Sequence, residues 1–263
     1  MRRHEIRAMS VGEILDGGFW LLRDHARVLV GAAAVLHVPM ALLLAVWPLR
    51  YVSTASIALV FPLIHAAVTW AVAELYLGRP ASVAEALRTV WSLLLPLIGT
   101  TLLFWLFLTI AGAAIGFAAV ITGMAVGRFG AAAVALVILP AFVYLGLAFA
   151  LLPPVMVLER IFGRRAFERS RDLLRGSGAR ALGAYLAGSV LVAVLSGVVQ
   201  MALGRVPVLG PIGVGVTRAV GVAYTSAVFV LLYFDVRCRK EAFDLEHLAQ
   251  LVASEPPAVP ALA

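Results

Sequence analysis

Between residues 95 and 122 the chain runs through 28 residues with no acidic, basic or imidazole side chain. About 20 apolar residues suffice for a helix to cross the hydrocarbon core of a bilayer. Comparable runs fall at about 27–47, 54–77, 131–158, 181–203 and 216–236. They are continuous, without the period-two alternation of a barrel strand, and only helices or closed barrels satisfy every backbone polar group in lipid. Hydrophobic residues make up 63% of the chain and charged residues 13%, against about 25% charged in soluble domains. The expectation is an all-α, polytopic membrane protein with six transmembrane helices.

The spans come with an internal period. Ser10-Val11-Gly12-Glu13 has the capping-box pattern, in which the serine hydroxyl and the carboxylate three residues on satisfy each other's backbone amides. Val11, Ile14, Leu15, Gly18, Phe19 and Leu22 follow at helical spacing, and the apolar runs 27–47 and 54–77 then form a hairpin. The box recurs at Ser82-Val83-Ala84-Glu85, and Val83, Ala86, Leu87, Val90, Trp91 and Leu94 repeat the first spacing. A third version lies in the charged segment 159–180. There Ala166, Phe167, Ser170 and Leu174 match Ile14, Leu15, Gly18 and Leu22, without a serine cap.

Phe162, Ala166, Phe167, Ser170, Leu173 and Leu174 share one face of this third helix, which at about 24 Å is too short and too charged to span and is expected in the plane of the interface. The reading is one transmembrane domain, 1–253, of three repeats at about 9–78, 79–158 and 159–236, each an interfacial amphipathic helix plus a transmembrane hairpin. A C-terminal amphipathic helix at 239–253, with Leu245, Leu248, Ala249 and Val252 on one face, and a disordered tail at 254–263 complete it.

Charge sets the orientation. With the amino terminus inside, 17 of 21 basic residues and all 14 acids fall on the inner side, leaving Arg50, Arg128, Arg205 and Arg218 outside. That is the bias of the positive-inside rule, and it puts both termini in the cytoplasm. The amino-terminal segment lacks the apolar centre of a cleavable signal. The single Cys238 excludes a disulfide within one chain. The net charge of +7 sits beside the spans with no nucleic-acid motif, so anionic lipid head groups are the expected counter-charge.

Two sets of polar residues are candidates for function. His37 and His65 fall about eleven residues into the first two spans, near the midplane, where a pair could pass a proton or hold a metal; equally, each could bond a carbonyl freed by Pro39 or Pro62. Glu74, Glu159 and Asp235 each stand where a hairpin regains the inner interface. They form either a polar ring or simple pairs with Arg79, Arg160 and Arg237 or Arg239. Arg164, Arg165, Arg169, Arg171 and Arg175 either recruit anionic lipid or a partner protein, at about 1 kcal/mol for each basic residue near an anionic surface, or serve only as a topology anchor. Small-xxx-small patterns at Gly112/Gly116 and Gly123/Gly127 permit close helix contact within or between chains. No hydrolase, zinc or nucleotide motif occurs, so neither catalysis, cofactor nor metal is expected.

The residues MSVGEILD at 9–16, VLER at 157–160 with the stretch 166–174, and YFDVRCRKEAFD at 233–244 resemble a bacterial family of polytopic proteins related to the membrane domain of glycerophosphoryl diester phosphodiesterases. The resemblance implies a multi-pass protein of the bacterial cytoplasmic membrane. It carries no activity, because in fused members the chemistry belongs to a separate barrel with an H-R-G motif that this chain lacks. The function expected from sequence is therefore non-catalytic: organising anionic lipid, a partner protein or a homo-oligomer through a basic inner face. The alternative is a small-solute or ion transporter using His37 and His65.

Overall fold

The computed structural model describes residues 7–46, 50–127, 149–203 and 209–245, together with 129, 130, 132–134, 136 and 206. Among them every regular element is a helix: α1 (Val11–Asp24), α2 (Ala26–Val46), α3 (Arg50–Tyr76), α4 (Val83–Ser92), α5 (Leu94–Val126), α6 (Leu152–Leu158), α7 (Arg164–Leu174), α8 (Gly178–Leu203) and α9 (Leu209–Glu241). Three of these, α5, α8 and α9, are long and apolar enough to cross a membrane. Pro140 and half of the expected arm at 131–158 lie outside the described residues. Pro153 and Pro154 open the first turn of α6, where a missing amide costs nothing.

Both capping boxes form. Ser10 donates its amide to Glu13 Oε2 at 2.7 Å and accepts from the Glu13 amide at 3.3 Å; Ser82 and Glu85 reproduce the pair at 3.0 and 3.2 Å. The Ser10 amide, and then Arg7, hold the Glu13 carboxyl well below its ordinary 4.5, at about 2. A carboxylate depressed in the folded state stabilises above its unfolded pKa and stops doing so as pH falls through the folded value. Acidification from about pH 4.5 to 2 is thus expected to fray α1. The Glu13→Gln variant should show no such step in helical circular dichroism or amide exchange, whereas an identical step in both proteins would contradict the assignment. Helix α7 starts without a serine, at Gly163 (φ 63°), whose amide instead donates to Thr100 Oγ1 on α5 at 2.8 Å.

The three amphipathic helices bury the same register positions: Ile14, Gly18 and Leu21; Ala86, Val90 and Leu93; Ala166, Ser170 and Leu173. The sequence spacing had placed Phe19 and Trp91 on this face. They are instead 52% and 76% exposed, because the buried stripe is rotated so that Leu21 and Leu93 close it. The indole of Trp91, apolar with one polar N–H, is of the kind that suits a membrane–water boundary.

Helix α9 is the centre of the molecule. Gly210, Gly215, Ala219, Gly221, Ala223 and Ala227 on it are buried, and α1, α2, α3 and α8 pack around it. Small residues let neighbours come close: a Cβ added at Gly221 would stand 2.7 Å from Val192 Cγ1. Helix α5 is the opposite case, since the apolar window that defines it as a span buries none of its residues. Leu106, Ile110, Phe117, Val120 and Met124 face outward, far more contiguous apolar surface than water-soluble monomers expose. Gly112 and Gly116 meet nothing within 4 Å, so that small-residue pattern makes no close contact among the described residues.

One boundary differs from the sequence reading. Helix α9 continues to Glu241 and breaks at Ala242, whose φ of 51° is left-handed; helical residues resume at 243–245, so the C-terminal segment separates after 242 rather than at 239. Leu248, Ala249, Val252 and the tail 254–263 lie outside the described residues. Gly12, by contrast with the packed glycines, is exposed on the first turn of α1 with open space at its Cβ. Gly12→Ala is expected to leave stability unchanged or raise it by up to about 1 kcal/mol; a loss on thermal unfolding would contradict that placement.

Candidate functional site

Two polar regions stand out, an ionic cluster at one end of the bundle and a cleft halfway along it. The cluster gathers around the final turns of α9. Asp235 is fully buried and accepts the Met9 amide at 2.6 Å, Arg180 Nη1 at 2.9 Å and Arg239 Nε at 2.9 Å. Arg239 Nη2 also donates to the Met9 carbonyl at 3.0 Å, so one carboxylate ties the approach to α1 to the starts of α8 and the end of α9. Glu159 accepts Arg169 Nε and Nη2 at 2.8 and 3.1 Å and the Tyr233 hydroxyl at 2.8 Å. Arg169 reaches on to Glu241, which Arg237 Nε also contacts at 2.7 Å. Glu74 pairs with Arg79 at 2.9 Å.

The three acids are therefore all neutralised by arginines rather than open to a cation. Among the described residues no group of three or more His, Cys, Asp or Glu could hold a metal. Glu159 takes Arg169 and not Arg160, and Asp235 takes Arg180 with Arg239 and not Arg237.

The same contacts divide the candidate arginines. Arg169 is locked between Glu159 and Glu241, whose hydrogen bonds raise its already high pKa further, so it does not present to lipid. Arg164, Arg165, Arg171 and Arg175 are exposed. Arg164 touches Glu168 at 2.8 Å and Arg171 lies 4.0 Å from Asp172, surface pairs of little worth. Lys240 Nζ donates to the carbonyls of Asp172 and Arg175, both at 2.6 Å, and so caps the C-terminus of α7. The apolar face of α7, expected to bury in the bilayer interface, is filled by protein: Phe167 stacks on Phe104 at 6.2 Å and meets Phe149 edge-on at 5.1 Å.

The cleft, about 530 Å³, is lined by α2, α3, α8 and α9 and includes both His37 and His65. Phe61 stands between the imidazoles, with ring centroids 6.1 Å from His37 and 4.4 Å from His65. This is not the geometry of a shared metal. His65 Nδ1 lies 3.1 Å from the Ser226 hydroxyl, so its partner is a side chain on α9 rather than a carbonyl freed by Pro62. His37 is buried, and its Nε2 has no hydrogen-bond partner among the described residues. Arg218 is the cleft's cation, and sequence reasoning had counted it only as an outer topological charge. The signal was there at helical spacing: Arg218, Val222, Thr225 and Phe229 all line the cleft.

A bundle with a polar interior end, a mid-depth cleft and an outward-facing apolar helix defines the class: an α-helical membrane protein. Its sequence matches the family of a domain of unknown function, DUF8558, over residues 33–238, and the chain belongs to that family. The matched region takes in His37, His65, Glu159, Arg218 and Asp235 and leaves α1 outside. No curated protein and no solved structure matches the chain.

Proposed function

We propose that this is a non-catalytic, six-span protein of the bacterial cytoplasmic membrane, built from three like-oriented units, that gathers anionic lipid at a basic inner face. The observation that carries the reading is the division of labour among the arginines. Arg169, Arg180 and Arg239 are consumed by buried or half-buried acids, while Arg164, Arg165, Arg171 and Arg175 stay exposed on one short helix. Arg23 and Arg88 are exposed on α1 and α4, beside the outward rings of Trp20 and Trp91. Aromatic rings at head-group level with arginines beside them suit an anionic leaflet. The shared burial register of α1, α4 and α7 supports the three-unit reading, and the resemblance to membrane domains of phosphodiesterase relatives is kept as part of the proposal without their chemistry.

The test is native mass spectrometry of the protein released in its own lipids. Anionic lipid is expected to co-purify with the wild type and to be largely lost from a variant carrying Arg164→Gln, Arg165→Gln, Arg171→Gln and Arg175→Gln. Unchanged lipid retention would overturn the reading, and a stoichiometric second polypeptide would replace it with a docking role for the same face. One observation favours a second reading, transport of a small solute: His37 and His65 line a common cleft. A flux that survives His37→Phe with His65→Phe would remove it.

A further inference from the structure

The cleft carries a reading beyond the basic inner face. Its position follows from helix register. Val192 meets Gly221, Gly188 meets Tyr224, and Tyr185 stacks on Phe229 at 6.3 Å, so α8 and α9 run antiparallel and Ser196 comes level with Arg218. Helix α3 runs parallel to α9, with His65 beside Ser226 and Tyr76 stacked on Phe234. Phe61 is one turn above His65, and His37 stacks on Phe61, so His37 lies near the Arg218 end. The eleven helical steps from Arg218 to Phe229 make a groove about 16 Å long. One end holds Arg218, His37 and Ser196; the other is walled by Val222, Phe229 and Tyr185.

Four features decide what such a groove holds. First, no carboxylate lines it among the described residues, so none of them attracts a cation. Second, Arg218 makes no ion pair among the described residues, although a charge at membrane depth is costly without a partner. Third, the buried His37 Nε2 lacks a hydrogen-bond partner among the described residues, and a buried polar atom left unpaired is costly. Fourth, Phe61, Tyr185 and Arg218 are exposed, which opens the groove sideways where lipid chains run, and its volume suits a small-molecule site. We infer that the cleft binds an amphiphile with an anionic oxygen head group, the head held by Arg218 and His37 Nε2–H and the acyl chain laid toward Phe229. Arginine matches carboxylate or phosphate oxygens in two parallel bonds, and the hydroxyl of Ser196, level with Arg218, is placed to complete the head-group shell. The assignment does not depend on whether the ligand later crosses the membrane, nor on lipid at α7.

The test uses the purified full-length protein in a neutral detergent, with phosphatidylglycerol, oleate and inorganic phosphate as separate probes and phosphatidylcholine as the uncharged-surface control, read by native mass spectrometry titration. At least one anionic probe is expected to bind, to weaken by about tenfold or more in Arg218→Gln, which corresponds to losing one charge-assisted pair, and to recover partly in Arg218→Lys. Weakening in His37→Phe with an unchanged melting temperature is also expected. The fourfold α7 variant should bind at this site as the wild type does, which separates failure here from failure of the inner-face reading. Binding by phosphatidylglycerol names a membrane lipid as the source, binding by oleate alone a free fatty acid, and competition by phosphate a head group recognised without its chain. Affinity for every probe unchanged in Arg218→Gln, or no anionic probe binding the wild type, overturns the site.

Discussion

Asp235→Asn is expected to destabilise the protein by about 3 kcal/mol, more than any other isosteric change at the ionic end. The carboxylate is fully buried and meets two guanidiniums and a backbone amide within 3 Å. Asparagine keeps the shape and can still accept from Met9, but it leaves Arg180 and Arg239 facing each other without a counter-charge. Truncating one member of a buried pair costs about 3–5 kcal/mol. The lower end applies here because Arg180 and Arg239 keep 30% and 38% of their side-chain surface in solvent. For a chain of this size that is roughly 6–12 °C in melting temperature. Arg239→Gln should cost less, since Arg180 still neutralises the acid. Thermal unfolding in detergent measures both, and a shift within a degree for Asp235→Asn would mean that the cluster does not hold the chain's two ends together.

Gly18→Leu is expected to detach α1. A Cβ at Gly18 would lie 3.1 Å from Val228 Cγ2 and 3.5 Å from both the Val228 backbone nitrogen and Tyr224 Cε2. A methyl alone could be met by a rotamer shift at Val228; a leucine must displace the backbone of α9, which α2, α3 and α8 hold from other sides. Overpacking of this kind costs about 1–3 kcal/mol or more. The displacement also takes Ile14 and Leu21 out of the core and breaks the bond from Tyr224 to the Leu15 carbonyl. The check is limited proteolysis: the variant should be cut within α1, at Arg23, well before the wild type. Matching cleavage rates would contradict the docking of this face.

What was legible in the sequence was mostly local. Serine-to-glutamate boxes state a helix start because both partners sit within one turn, and Ser10 and Ser82 cap as their spacing implies. The rotated stripe was harder. Phe19 and Leu21 are both apolar, and only packing against α9 decides that the leucine goes in while the ring stays out. Arg79 and Arg239 pair with Glu74 and Asp235 as their nearness in sequence implied, but the same limit hid the partner of Glu159: Arg160 adjoins it in sequence, yet its φ of 54° belongs to a turn, and the partner arrives ten residues on as Arg169. Nor does composition separate α5 from α9. Both are long, apolar and glycine-bearing, yet the apolar window of one is unburied and that of the other 83% buried. The helical spacing of Arg218 with Val222, Thr225 and Phe229 marked a face of α9, but not a site, because its neighbours His37 and Ser196 come from helices far away in sequence.

The claim on which the account stands is that α1, α4 and α7 lie on one side of the membrane, and site-directed cysteine labelling tests it most directly. In a Cys238→Ser background, single changes Arg23→Cys, Arg88→Cys and Arg165→Cys report on those helices, and Phe129→Cys and Val206→Cys report on the connections at the opposite end; the four arginine and phenylalanine sites are well exposed and Val206 moderately so. An impermeant maleimide is predicted to reach Phe129→Cys and Val206→Cys in intact cells, and the three arginine sites only in inverted vesicles. Labelling of any one arginine site from outside the cell would break the like-oriented units and, with them, the single basic face.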